Sequence, residues 1–154
     1  MCLTIHKYYR TGEDNGRPVP FTAEEDITVF KVLSFCEEGE AITPFQAMPV
    51  TFDDNGMFDY SAEFEWDDKE DGISCGCHAY SAYTKAFMMD TVFVNLYTYK
   101  AVIPKGSKFF VGEDNSVVSN RLIIHNKRLY ADEPPVDEFT LTDYLYKYTD
   151  KIVY

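Results

Sequence analysis

Residues Ala101 to Asn126 read AVIPKGSKFFVGEDNSVVSNRLIIHN. Apolar runs alternate here with turn residues, so the local structure follows from the side chains. Ala101 to Ile103 ends a strand, Pro104-Lys105-Gly106 turns it, and Lys108 to Val111 runs extended. Gly112 to Asn115 turns again, and Val117 to Ile124 returns as a further strand. Consecutive strands joined by turns this short pair antiparallel. The stretch therefore predicts an α+β domain built on a mainly antiparallel, twisted sheet.

Working outward, Ile27 to Phe35 (ITVFKVLSF) is dense in β-branched and aromatic residues with apolar side chains on both faces, which predicts a central strand. Asp53 to Gly56 is a turn ending in Asn-Gly, and it predicts a hairpin between Val50–Phe52 and a long strand from Met57 to Trp66. Along that strand Phe58, Tyr60, Ala62, Phe64 and Trp66 fall on one face, with Asp59, Ser61, Glu63 and Glu65 on the other. Thr11 to Pro20 and Asp67 to Asp71 read as loops. Ala79 to Asp90 carries apolar residues at three- and four-residue spacing and predicts a helix packed on the sheet. Thr91 to Ile103 should then run as a long strand. A short amphipathic helix is expected over Val136 to Tyr148, near the C-terminus, and a last strand at Lys151 to Tyr154.

The 154 residues fit a single domain, residues 1–154, with enough apolar and aromatic side chains to build one core. Twenty-six acidic residues against fourteen basic ones give a formal charge of −12. Such a field repels phosphate backbones and anionic lipid and attracts basic surfaces, so the expectation is no direct nucleic-acid partner and no membrane. No apolar run is long enough to span a bilayer, and the first ten residues lack the apolar core of a secretion signal; the expected location is the cytoplasm. The four cysteines, Cys2, Cys36, Cys75 and Cys77, are too few and too irregular for a disulfide framework, and free thiols are expected.

Cys75-Gly76-Cys77-His78 is the densest cluster of metal-capable side chains. A one-residue spacer lacks the loop that lets two thiolates face one tetrahedral zinc, so the expectation is small buried thiols beside a glycine turn and no metal. His78 stands among the three histidines as a candidate general base or, more simply, as a histidine hydrogen-bonded at the end of an element. Asp59, Glu63 and Glu65 would project from one strand face whose neighbouring positions are about 7 Å apart, as a solvated acidic row or a binding surface. No standard nucleotide-binding or hydrolase motif occurs in the chain.

The segments Ile27–Leu33, Thr43-Pro44-Phe45, Gly76-Cys77-His78-Ala79-Tyr80, Val102-Ile103-Pro104-Lys105-Gly106-Ser107 and Val118-Ser119-Asn120-Arg121-Leu122 resemble a loose family of uncharacterised phage, prophage and gut-bacterial proteins. The resemblance covers most of residues 27–124 and implies a bacterial or phage cytosolic setting. The order of a strand, a glycine-aromatic turn and a strand ending in V-I-P-K-G is also similar to ADP-ribosyltransferases. That similarity implies an NAD or nucleotide pocket using Lys31, His78, Tyr80 and Ser81. The carboxylate expected of such an enzyme is missing at Thr98 or Lys100, and without it the developing oxocarbenium charge has no partner.

The sequence therefore predicts a non-enzymatic acidic protein without cofactor, binding a partner with a basic surface, as an inhibitor of a bacterial factor in a bacterial or infected cell. Asp59, Glu63, Glu65, Tyr144 and Tyr148 are the expected contact residues, since tyrosines combine contact area with a hydrogen-bonding tip. The alternative is a degenerate ADP-ribosyltransferase-like enzyme with Lys31, His78, Tyr80 and Ser81 in its pocket.

Overall fold

The computed structural model describes residues 3–4, 13–14, 17–35, 41–43, 49–67, 72–81, 96–112, 116–130 and 138–148. Among these residues the fold is mostly antiparallel sheet with a single helix. In chain order the strands are β1 (Leu3–Thr4), β2 (Glu13–Asp14), β3 (Arg17–Pro18), β4 (Phe21–Thr22), β5 (Ile27–Phe35), β6 (Ala41–Ile42), β7 (Pro49–Val50) and β8 (Met57–Ser61). They continue as β9 (Glu65–Asp67), β10 (Gly72–Cys75), β11 (Cys77–Tyr80), β12 (Leu96–Ile103), β13 (Lys108–Val111), β14 (Ser116–Ser119) and β15 (Arg121–Arg128). The helix α1 spans Leu141–Tyr148.

The main sheet runs β4-β13-β14-β11-β5-β12-β15-β8, with β6 and β7 extending from β5. A small sheet β1-β10-β9 lies apart from it in pairing, and β2 pairs with β3. β5 is central, as its two-sided apolar sequence predicts, and it pairs with β12 along its length from Ile27↔Ile103 to Ser34↔Leu96.

The main sheet curls on itself. Cys77 Sγ on β11 lies 3.8 Å from the Tyr60 carbonyl on β8, although β5, β12 and β15 intervene in the sheet order. On a flat sheet strands four steps apart would stand about 19 Å from each other. The corner at Asn120 makes this closure: its N–H donates to Lys108 O at 2.9 Å, and its carbonyl accepts from Ala62 N at 3.1 Å. The concave side holds the main core, including Ile27, Val29, Leu33, Ala101, Ile103, Leu122, Ile124, Cys77 and Ala79. On the opposite face of the sheet, Phe30 and Val32 pack with Leu96 and Leu129, and Phe110 and Val118 pack with Ile73 from the small sheet.

Helix α1 closes one end of the main core. Thr140 caps it: the Asp143 carboxylate accepts from the Thr140 N–H at 3.0 Å, and the Asp143 N–H donates back to Thr140 Oγ1 at 3.4 Å, a reciprocal capping arrangement. Leu141, Tyr144 and Leu145 are its buried face. The Tyr144 ring meets Phe109 edge-on at 5.5 Å, and its hydroxyl donates to Thr22 O and accepts from Glu24 N. Burying side chains of this size contributes about 2 kcal/mol each, more than the helix's short length could supply alone.

Several expectations need correcting. The Asp53–Gly56 turn forms, with Gly56 N donating to Asp53 O at 2.9 Å. The flanking strands nonetheless choose other partners: β7 pairs with β6, and β8 pairs with β15. The expected Met57–Trp66 strand is broken after Ser61, where Asn120 takes the Ala62 N–H. As a result Tyr60 enters the main core while Phe64 and Trp66 pack against Phe110 in the second cluster. The Val117–Ile124 strand is likewise split by the Asn120 corner into β14 and β15, which take different neighbours. Part of the predicted Thr11–Pro20 loop is paired, as Glu13↔Pro18 and Asp14↔Arg17. Ala79 and Tyr80, the expected first residues of a helix, lie in β11 and Ser81 is a bend after it; residues 82–90 of that expected helix fall outside the described residues. The C-terminal helix begins at Leu141 rather than Val136, because Phe139 and Thr140 pair with β5 instead: Thr28 N donates to Phe139 O, and Thr28 bridges Thr140 in parallel. The expected strand at residues 151–154 falls outside the described residues.

Candidate functional site

Three chain segments meet at the closure of the sheet and enclose an open pocket of about 510 Å³, lined by Ser61, Ala62, Glu63, Lys105, Gly106, Ser107, Asn120 and Arg121. The Pro104–Ser107 turn is held at both ends. Ser107 N donates to Pro104 O, Gly106 N to Ala23 O, Ala23 N to Ser107 O, and Lys105 N to the Asp26 carboxylate. Gly106 has φ +90°, the conformation a type II turn requires at that place. Arg121 is gripped by Asp59 through Nε at 3.0 Å and Nη2 at 2.6 Å, a two-point pair that holds the Asp59 carboxyl below its ordinary range. Both the Pro104–Ser107 turn and the Asn120 corner contribute residues to this pocket.

Beside it, joined through the bonds from Asp26 and Ala23, lies a second surface. Glu24 and Glu25 form a bend that meets α1, and Asp26 follows it. Lys147 donates to Glu25 at 2.6 Å, and the Tyr148 hydroxyl donates to the same carboxylate. These two contacts hold the Glu25 carboxyl below its usual range. Tyr146 is 70% exposed, while Tyr144 is only 2% exposed and belongs to the core.

The expected contact residues thus separate. Asp59 is occupied by Arg121 on β15. Glu63 and Glu65 are exposed, but Glu63 follows β8 and Glu65 begins β9 in the other sheet, so the three carboxylates do not form one row. Tyr148 is exposed next to Glu25, and burial leaves Tyr144 no face to offer a partner.

Lys31 and His78 also separate. Lys31 stands in register with Tyr99 on the concave side and is 7% exposed. Its ammonium donates to the His78 carbonyl at 2.5 Å, and it makes no ion pair among the described residues. Burial lowers its pKa from 10.5 to about 8, although the neighbouring Cys77 acts the other way. The side chains of His78 and Tyr80 alternate with the core residues Cys77 and Ala79, so they occupy the opposite face. Burial and then Lys31 lower the His78 pKa, its Nδ1 meets Gly76 O at 3.2 Å, and Nε2 is buried without a partner. Ser81 is buried at the end of β11. Lys31 therefore does not share a cleft with His78 and Tyr80. Cys77 points into the core beside Tyr60, and burial pushes its thiol up to about 12. Alternation likewise sends His78 to the other face, and no group of His, Cys, Asp and Glu among the described residues is arranged to hold a metal ion.

Lys100 has an unanticipated partner in Glu138. Lys100 Nζ lies 2.9 Å from Glu138 Oε1, and the Thr28 hydroxyl donates to Oε2 at 3.1 Å. Burial works against the charge, but Lys100 and Thr28 keep the Glu138 pKa below its ordinary value. Lys100 is thus neutralised by a carboxylate from the segment just before α1. Nothing in the sequence near Glu138 announces this, because the contact spans 38 residues.

No family model, curated protein or solved structure matches this chain. No helix among the described residues is long and apolar enough to cross a membrane.

Proposed function

We propose that the protein works without catalysis, by binding a protein partner with a basic surface through the face made by α1 and the Glu24–Asp26 segment. In this proposal it is a phage or bacterial protein acting in the cytoplasm of a bacterial or infected cell, and it inhibits a bacterial factor by covering its basic site. The observation that carries the proposal is the pairing of Lys147 with Glu25. It neutralises the helix's only cation and leaves Glu24 at the bend, Asp26 after it, and Asp143 one turn before the 70%-exposed Tyr146 on α1, without a cationic side-chain partner among the described residues. Aromatic area flanked by carboxylates suits a lysine- or arginine-rich surface, through both charge and ring contacts. The net charge of −12 adds long-range attraction to the same partners.

The test compares the immobilised full chain with a Glu24→Gln, Asp26→Asn, Tyr146→Ser triple variant. Each change lies at an exposed position and leaves the core intact. The native chain should retain a basic bacterial protein at low ionic strength and release it as salt rises. The variant should bind that protein about tenfold more weakly, the combined scale of a few exposed contacts. Retention that ignores both salt and the substitutions would refute the proposal, as would no retention at low salt.

A further inference from the structure

The pocket at the sheet closure is built from groups that the proposed partner surface does not use. Lys105 and Glu63 both line it. Neither side chain forms an ion pair among the described residues, with the other or with a third group. The other charged pairs at this end are already satisfied: Arg121 by Asp59, and Glu25 by Lys147. The pocket thus presents one positive and one negative group, each still open to a ligand.

Its neutral donors and acceptors are fixed as firmly. Asn120 Oδ1 accepts from Lys108 N at 2.9 Å, which assigns the amide orientation and leaves Nδ2 to donate elsewhere. The Arg121 guanidinium spends two N–H groups on Asp59 and has others to give. Ser61 and Ser107 add hydroxyls that donate or accept. The Lys105 turn and the Asn120 corner are pinned by backbone bonds, so little order remains to be imposed when a ligand arrives.

We propose that this pocket binds a small zwitterion carrying one carboxylate and one free protonated amine, of the α-amino-acid or dipeptide class. Lys105, with the Asn120 amide and the serine hydroxyls, takes the carboxylate, and Glu63 takes the ammonium. The volume of about 510 Å³ falls in the range of small-molecule sites. The chain's overall charge of −12 disfavours a simple anion, and a simple cation has many exposed carboxylates to choose from. A ligand that satisfies both charges is the one this pocket distinguishes.

Amide chemical shifts of the full chain, followed during titration, test this. The probe is glycylglycine. N-acetylglycylglycine keeps the carboxylate and removes the ammonium; glycylglycinamide does the reverse. Glycylglycine should give saturable shifts at residues 61–63, 105–107, 120 and 121, with affinity about fivefold above either blocked peptide, the upper scale of one exposed ion pair. Lys105→Met and Glu63→Gln should each lower that affinity about as much while leaving the rest of the spectrum dispersed. The proposal is overturned by non-saturating shifts, by shifts elsewhere, or by affinity unchanged in either variant. Equal binding of the acetylated peptide overturns it too, because the ammonium then contributes nothing to recognition.

Discussion

Gly76→Ala is expected to cost about 3 kcal/mol of folding stability, the sum of overpacking and an unfavourable backbone conformation. Gly76 joins β10 of the small sheet to β11 of the main one, with φ +146°. A Cβ there would stand 2.4 Å from Val118 Cγ2 and 3.3 Å from Phe64 Cδ1. Val118 is fully buried against Ile73 and Phe110, so it cannot swing into solvent to make room. Gly106→Ala serves as the companion. It has φ +90° but nothing within 4 Å of the added atom, so it should lose only about 1 kcal/mol, the backbone share. Urea denaturation measures both. Equal losses at the two positions would mean that the Val118 contact is not what fixes the seam between the sheets.

Lys31→Met is expected to stabilise the protein by about 2 kcal/mol at pH 7. Burial lowers the Lys31 pKa from 10.5 to about 8; at 1.36 kcal/mol per tenfold change, holding that ammonium in the core costs about 3 kcal/mol. Loss of its bond to His78 O returns about 1 kcal/mol of that. Methionine matches the stem in length and brings no charge. The sign with pH follows from linkage. Below about pH 8 Lys31 is protonated folded and unfolded, and the full penalty applies. Between about 8 and 10.5 the unfolded chain holds the proton and the folded one does not, so native stability rises with pH. Cys77 opposes this above its ordinary value of 9, because burial pushes the folded thiol up to about 12 and the unfolded chain ionises first. The Tyr60 hydroxyl, raised by burial, acts in the same direction above 10. The advantage of Lys31→Met over the native chain should therefore be largest below pH 8 and shrink toward pH 10.5. Denaturation at pH 7 and pH 10 checks it; a variant less stable than the native chain at pH 7 would show that Lys31 is held by more than one carbonyl.

The strands were legible where side-chain pattern and turn chemistry agreed. Ile27–Phe35 reads as a central strand from its two apolar faces, and Pro104-Lys105-Gly106 reads as a turn from proline and glycine together. What the pattern did not carry is which strands meet. Met57 to Trp66 alternates without interruption in sequence, yet it breaks because a backbone carbonyl at Asn120 captures Ala62 N, a long-range bond with no local signal. The run from Val117 to Ile124 hides a corner for the same reason. The site was legible in the same uneven way. The Lys105 and Asn120 segments stood out individually, but their meeting with Glu63 depends on the curl of the sheet. Tyr144 and Tyr148 share a helix and a residue type; four-residue spacing alone did not reveal that one fills the core and the other reaches Glu25.

The most direct test of the proposed binding face is a hydrogen-exchange footprint of the captured basic partner on the full chain. Binding through α1 and the acidic bend predicts slowed exchange at Phe21–Asp26 and Leu141–Tyr148, with residues 57–61 unchanged. Protection confined to residues 57–61, or protection absent from both α1 and the bend while the partner stays bound, would contradict it.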